Sequence, residues 1–217
     1  MNAFDYIIVG AGTAGCVVAR RLLEKTDASV LLVEAGPPYP APLLDPPLPG
    51  MKFGRGYSWH QMSIPQPLLG NRIIEWPMGK VVGGTSSVNA MMGFRGHPAN
   101  FDAWEYSGNH GWSSVALSPY FERAFGAPLD KEPSDHSAGT LSLSSQRFHS
   151  PFSEAFLTAC EQDGMTKESP LLGRTDGCCG YFPVLQRNGA RFEAANAYLR
   201  PVKNHPRLAL QPPPLRQ

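Results

Sequence analysis

The chain has no long hydrophobic run and no excess of one charge. Its 217 residues carry 19 basic and 18 acidic side chains, scattered rather than clustered, for a formal net charge of +1. Nucleic acid and anionic membrane surfaces are therefore not expected as partners, because both select basic patches. No stretch approaches the roughly 18 apolar residues of a membrane span, and the first apolar run is too short for a signal peptide. These absences predict a cytoplasmic protein with no membrane association.

Patterns for metal ions and disulfides are also missing. The four cysteines, Cys16, Cys160, Cys178 and Cys179, show no C-x-x-C spacing and have no histidine pair nearby. We therefore predict reduced thiols and no metal site, rather than a zinc centre or a disulfide framework. A disulfide between the neighbours Cys178 and Cys179 is the rarer alternative, since such a bond is strained.

What the chain does have is a strand, a helix and a second strand near its start. The apolar run Tyr6 to Val9 and the run Val30 to Val33 are each typical of a parallel strand buried on both faces. Between them, helical spacing predicts a helix over 13–25. We expect its sheet-facing side to carry Ala14, Val17, Val18 and Leu22. This order is that of a βαβ unit.

A glycine-rich turn joins the first strand to this helix. Gly10 permits a tight reversal, Gly12 lets the backbone approach a phosphate, and Gly15 lets helix and strand pack closely. The helix N-terminus then meets a diphosphate with unpaired amides. Glu34 ends the second strand, where a carboxylate can bind ribose hydroxyls; a solvated strand-end glutamate is the alternative. The pattern predicts a dinucleotide site.

A second glycine-rich stretch runs from Gly79 to Met91. Gly83 and Gly84, followed by small hydroxyl residues, supply exposed amides that can lie against a ligand; a structural loop is the alternative. The proline-rich segment 37–49 excludes regular structure, and 50–105 reads as irregular chain covering a scaffold. Four later elements are predicted, namely helices over 119–125, 152–162 and 191–199 and a strand over 207–210. In the second of these helices, Phe152, Ala155, Phe156 and Ala159 keep helical spacing.

The segment from Trp76 to Met91, continued by Phe94 to Pro98 and Phe101 to Trp104, resembles the signature of the GMC oxidoreductases. These are the glucose, methanol and choline oxidases and dehydrogenases. Further matching residues are Glu34-Ala35-Gly36, Pro65-Gln66, Arg72, Arg191, Ala194-Ala195 and Tyr198-Leu199. The resemblance extends over almost the whole chain.

This resemblance implies an α/β chain with an incomplete Rossmann-like FAD-binding domain and the start of an α+β substrate domain. The implied boundaries are 1–150, with flavin-covering loops at 50–105, and 151–217. Cofactor-binding residues are expected at Gly10, Gly12, Thr13, Ala14, Gly15, Glu34, Ala35, Trp59, Gly79, Val81, Gly83, Gly84, Ser86, Asn89, Ala90 and Met91. Asn89, Ala90 and Met91 are expected near the reactive edge of the flavin.

Three positions depart from the family pattern. Val88 stands where some members carry a histidine bonded covalently to FAD, so the resemblance implies noncovalent FAD. Gly93 replaces an aromatic residue, which changes the expected shape of the substrate side. Met78 replaces a more frequent arginine.

The implied reaction is hydride transfer from an alcohol CH–OH group to flavin N5, while a base accepts the hydroxyl proton. In the family that base is a histidine in a C-terminal segment beyond residue 217, so no catalytic residue is assigned here. Among the six histidines, His136 looks superficially similar but matches an earlier family segment. We expect an inactive chain by itself, either part of an FAD-dependent oxidoreductase or, alternatively, a noncatalytic flavin-binding fragment or truncated gene product.

Two other activities share part of this pattern. A nicotinamide dehydrogenase leaves the segment from Gly79 to Met91 unexplained. A flavin photodecarboxylase of the same family depends on substrate-pocket residues outside this sequence. An incomplete sheet would also leave edges and apolar faces uncovered, which predicts self-association through them.

Overall fold

A computed structural model describes residues 3–38, 57–125, 141–171 and 176–211. The chain forms two compact units. The first contains Met1–Ala90 and Ala190–Gln217, and the second contains Met91–Gly189. The predicted domain boundary at residue 150 does not coincide with either limit of the second unit, and the functional assignment of the predicted domains stays a prediction.

Within the described residues the chain contains nine strands and four α-helices. The strands are β1 (Tyr6–Val9), β2 (Val30–Val33), β3 (Gln61–Met62), β4 (Glu75–Trp76), β5 (Thr166–Lys167), β6 (Cys178–Cys179), β7 (Gln186–Arg187), β8 (Ala190–Arg191) and β9 (Leu208–Gln211). The helices are α1 (Thr13–Lys25), α2 (Pro98–Tyr106), α3 (Ser114–Phe125) and α4 (Pro151–Gln162).

The core of the first unit is a three-stranded parallel sheet in the order β1-β2-β9. Tyr6 pairs with Val30, which in turn pairs with Leu208. The predicted strands near the start and the strand predicted at 207–210 are thus confirmed, as is the predicted helix between the first two. The topology is that of an incomplete Rossmann-like sheet, as the sequence predicts.

The face of α1 that packs inward differs from the predicted one. Cys16, Ala19 and Leu23 are buried, whereas Val18 is exposed. Helix and strand approach closely at Gly15, where an added Cβ would lie 1.9 Å from the Gly10 carbonyl oxygen. The buried residues keep the predicted helical spacing, but the buried face is turned by about one residue, so Ala14 also lies on the exposed side.

The prediction that β1 is buried on both faces is wrong. Tyr6, Ile7 and Val9 are 48%, 63% and 86% exposed, whereas Val30 and Leu32 of the central strand β2 are fully buried. Among the described residues β1 pairs only with β2, so it forms an edge of the sheet that they build. Its apolar sequence is that of an interior strand, but its position is that of an edge strand.

The second unit contains α2, α3 and α4. The prediction of irregular chain up to residue 105 missed α2, which begins at Pro98 behind the N-cap residue His97. The helix predicted at 119–125 begins earlier, at Ser114, because the Asp102 carboxylate accepts a hydrogen bond from the Ser114 amide (2.9 Å). α4 has its predicted limits within a residue, but Leu157 is its buried residue and the predicted apolar face is exposed.

The chain returns to the first unit at β8. The segment predicted as a helix over 191–199 is in part the strand β8 and in part a π-helical turn, Ala195–Leu199, in which the Arg200 amide donates to the Ala195 carbonyl oxygen. Among the described residues, no helix combines the length and the apolar character needed to cross a membrane.

Candidate functional site: two glycine-rich turns

The first glycine-rich turn leads from β1 into α1. Gly12 is the N-cap residue of α1, no side chain caps this end, and the first turn contains no acidic residue. The amides at the start of a helix have no intrahelical acceptor, and they carry the positive end of the helix dipole. Thr13, Ala14 and Gly15 therefore present an N-terminus that favours a phosphate group.

Glu34 lies directly after β2 and is buried, with 7% of its surface exposed. Its Oε2 accepts a hydrogen bond from the Ala11 amide and its Oε1 accepts one from the Gly36 amide, both at 2.8 Å. The alternative of a solvated glutamate is therefore wrong. Each carboxylate oxygen has a second lone pair, so these bonds leave acceptor capacity for a ribose hydroxyl.

The second glycine-rich turn packs directly on the first. The Gly83 amide donates to the Ala11 carbonyl oxygen over 2.7 Å. An added Cβ at Gly84 would lie 2.7 Å from the Gly12 Cα, and Gly84 also has a φ of +57°. Both the contact and the backbone conformation require glycine there. Two segments that are far apart in the sequence are thus in direct backbone contact.

Residues on both sides of these glycines hold the second turn in shape. Val81 and Val82, which precede them, are fully buried. The Ser86 hydroxyl donates to the Gly83 carbonyl oxygen (2.6 Å), and the Ser87 hydroxyl donates to that of Val82 (2.9 Å). The hydroxyl groups thus have structural partners within the loop.

Arg191 of β8 anchors the end of this loop. Its guanidinium donates to the Asn89 side-chain oxygen (3.0 Å), the Asn89 carbonyl oxygen (2.8 Å) and the Ser86 carbonyl oxygen (3.1 Å). The planar fork of an arginine suits several acceptors at once, and Arg191 is buried. Sequence reasoning listed Arg191 only as a family match and gave it no role.

The other predicted cofactor residues lie in several environments. The Trp59 amide donates to the Met78 carbonyl oxygen (3.0 Å), and the Lys80 Nζ lies 4.8 Å from the centre of the Trp59 ring. Gly79 packs against Gly84. Ala35 and Ala90 are exposed. Met91 is buried and belongs to the second unit.

Glu193 is a buried carboxyl group that sequence reasoning missed. It accepts hydrogen bonds from the Ala195 amide and, at 3.1 Å, from the Asn196 amide. Burial raises the pKa of Glu193 to about 7, against the opposing effect of these amides and of nearby arginines. Burial also raises the pKa of the Cys16 thiol to about 12, and the negative charges of Glu193 and Glu34 contribute.

The histidines of the described residues have local partners. His60 lies 3.4 Å from Glu75, His110 lies 3.5 Å from Glu105, and His149 stacks on Tyr181. His97 and His205 each accept a hydrogen bond from a backbone amide two residues later. His136 lies outside the described residues. No group of three potential metal ligands occurs in the described part of the chain.

Comparison with known proteins gives the same family as the motifs. The model of the GMC oxidoreductase family matches residues 4–211. An oxygen-dependent choline dehydrogenase from Brucella suis biovar 1 is 35% identical over 209 residues, which cover 95% of this chain. The chain spans only 38% of that relative's length.

Solved structures agree with this match. A pyridoxine 4-oxidase from Mesorbium loti superposes with a TM-score of 0.81 at 31% identity, over 97% of this chain and 42% of the oxidase. An FAD-dependent oxidoreductase from Chaetomium thermophilum also reaches a TM-score of 0.81, at 26% identity, over 97% of this chain and 38% of that protein. The chain therefore belongs to the GMC oxidoreductases, whose N-terminal part it represents.

Proposed function

We propose that the first unit binds FAD where the two glycine-rich turns meet. The observation that carries this proposal is the contact of Gly84 with Gly12, at which neither residue carries a side chain, beside the start of α1. Backbone without side chains accepts a diphosphate, because the α1 amides can approach it without steric hindrance. The buried Glu34 carboxylate would receive the adenosine ribose, and Asn89 would lie near the reactive part of the flavin.

The reaction that we propose for the whole protein is oxidation of a small alcohol. The chemistry that FAD supplies when bound is acceptance of a hydride at N5. This chain's own residues would bind and orient the cofactor through the turns and through Arg191, which fixes the loop that ends at Asn89. The choline and pyridoxine enzymes among the relatives favour an alcohol as the substrate class.

We assign the catalytic base to chain beyond residue 217. The described histidines support this assignment because each of them has a local partner. The chain alone is then expected to bind flavin without turnover. The noncatalytic flavin-binding fragment is the second candidate function, favoured by the same local partners, which leave none of the described histidines assigned as a base. Location in the cytoplasm stays a prediction.

A spectroscopic experiment tests the cofactor and the activity together. The purified protein is expected to show a flavin absorption spectrum, or to acquire one after incubation with FAD and gel filtration. Anaerobic addition of choline and other primary alcohols should leave that spectrum oxidised if the base lies elsewhere. Bleaching by an alcohol would contradict the assignment of the base, and failure to retain FAD would contradict the proposed site.

We propose further that FAD binds noncovalently, since Val88 has no nucleophilic atom for a bond to the flavin. Denaturing the yellow protein with acid and passing it through a size filter should release all of the flavin. Flavin that stays with the denatured polypeptide would contradict this proposal.

A further inference from the structure

Glu193 lies directly behind the second glycine-rich turn. Its Oε2 is 2.7 Å from the point that a Cβ of Gly83 would occupy, so only a glycine leaves room for the carboxyl group there. The same point lies 2.1 Å from the Ser87 hydroxyl oxygen. Glu193 and Ser87 thus enclose Gly83 from the side of the protein interior. On its other side, the Gly83 amide is bonded to Ala11 of the first turn.

The same carboxyl group fixes the return of the chain at β8. It accepts hydrogen bonds from the Ala195 and Asn196 amides, and the Glu193 carbonyl oxygen accepts one from the Ala197 amide (3.0 Å). A local capping role would explain these bonds. It would not explain why the carboxyl group of a long side chain is buried against Gly83, where a shorter capping residue would leave the turn untouched.

The negative charge of Glu193 acts electrostatically on the first turn of α1. A negative Glu193 raises the pKa of the Cys16 thiol, and Cys16 lies in that first turn. The charged groups that face Glu193 are Arg191 on β8 and Arg200 after the π-helical turn, and both favour its anion. Burial opposes them more strongly, so the carboxyl group is neutral over part of the neutral pH range.

We infer that Glu193 is a positioning residue of the FAD site, which holds the Gly83 turn against the first turn and weakens cofactor binding when it carries a negative charge. This inference rests on the proposed function. A buried anion behind the turn competes with the diphosphate for the positive end of α1, because charges interact strongly where water is excluded. Binding of FAD therefore favours the neutral carboxyl group, and by linkage a rise in pH weakens binding.

Glu193 also determines how the stability of the FAD-free chain depends on pH. The pKa of Glu193 is raised in the fold from 4.5 to about 7. Its favourable contribution to folding is thus fully present below the unfolded value and is lost as pH rises through the folded value. Glu193→Gln should accordingly gain in melting temperature relative to the wild type between pH 5 and pH 8.

The experiment is a titration of FAD, followed by flavin fluorescence, at several pH values from 5.5 to 8.5. We expect the Kd of the wild type for FAD to rise about five- to tenfold across this range. A rise of this size follows if bound FAD raises the pKa of Glu193 by about one. Glu193→Gln should show a flat profile. Glu193→Asp, which can still cap but is too short to reach Gly83, should show a weaker dependence on pH than the wild type. Glu122→Gln, on the exposed side of α3, is the matched control with the wild-type profile.

The outcomes separate the inference from the proposed function. A flat wild-type profile, or the same slope in Glu193→Gln as in the wild type, would overturn the inference while leaving FAD binding in place. If Glu193→Gln changes the melting temperature but not the dependence of the FAD Kd on pH, Glu193 acts only as a capping residue. Absence of FAD binding at every pH would overturn both. If Glu193→Gln does not fold, the wild-type and Glu193→Asp profiles still decide, since the wild type must depend on pH more strongly than Glu193→Asp.

Discussion

At the scale of single residues, Glu34 combines a structural role with the proposed ligand role. Its two oxygens accept the Ala11 and Gly36 amides, which tie the first turn to the segment after β2. A buried amide that loses its acceptor costs about 1–3 kcal/mol. The sequence predicted an acidic residue at the end of β2. It could not predict the two hydrogen bonds, because they depend on how the first turn packs against Glu34 in the folded chain.

We therefore predict two effects of Glu34→Ala. The free energy of unfolding should fall by about 2–4 kcal/mol, because two buried amides lose their acceptor. The affinity of the remaining folded protein for FAD should fall by about 1.5–3 kcal/mol, the contribution of hydrogen bonds to a charged group. Urea unfolding and FAD titration measure the two effects separately.

The control for this change is Glu75→Ala, because the side chain of Glu75 is 59% exposed. It should leave both quantities within about 0.5 kcal/mol of the wild type. Loss of stability in Glu34→Ala with an unchanged affinity for FAD would assign Glu34 to structure alone.

At the scale of secondary structure elements, the sequence predicted where helices and strands begin and end better than which of their faces are buried. α1 and β2 have their predicted limits, since glycine turns and strong apolar periodicity mark them. The inward face of α1 was misplaced by about one residue because apolar side chains stand next to one another at Val17–Val18 and Leu22–Leu23, so that spacing alone does not select the buried one. α2 was missed because none of its residues is buried, so that periodicity gave no signal. Arg191 and Glu193 act through contacts with distant segments, which no local pattern records.

The C-terminal end of α1 depends on one arginine from the other end of the chain. The Arg207 guanidinium donates to the carbonyl oxygens of Thr26 and, at 3.1 Å, of Leu23. These are carbonyls that the end of a helix leaves without an intrahelical donor, and a cation there also favours the helix dipole.

Arg207→Met should lower the free energy of unfolding by about 1–2 kcal/mol, because methionine keeps the apolar stem but donates no hydrogen bond. Thermal and urea unfolding measure the loss, and Lys203→Met at an exposed position serves as the control. An equal effect of both changes would show that the interaction with the end of α1 adds nothing to stability.

At the scale of the whole molecule, the apolar edge of the sheet is the feature that governs solution behaviour. Ile7 and Val9 of β1 expose 63% and 86% of their surface on the strand that forms the edge of the sheet among the described residues. Such an edge is a template for pairing with another chain. The sequence predicted self-association of an incomplete sheet, and these exposed side chains indicate where it would occur.

We predict that the double change Ile7→Thr and Val9→Thr reduces concentration-dependent association, measured by light scattering coupled to gel filtration. Threonine keeps the strand propensity of a β-branched residue, so stability should change by less than about 1 kcal/mol. Leu68→Thr is the control, because Leu68 is 98% exposed but lies outside the sheet. Association that persists in the double variant, or that falls equally in the control, would exclude β1 as the contact.

The pairing of β2 with β9 sets the order in which this unit can be completed. β9 begins at Leu208, so nearly the whole chain separates it from its partner, and the second unit is inserted between them. Contacts of such long range form slowly, because the intervening chain must first be brought together. During synthesis, β1, α1 and β2 are made before β9, so the β9 side of β2 stays open while the second unit is made. Until β9 pairs there, that side of β2 is accessible to other chains, chaperones included.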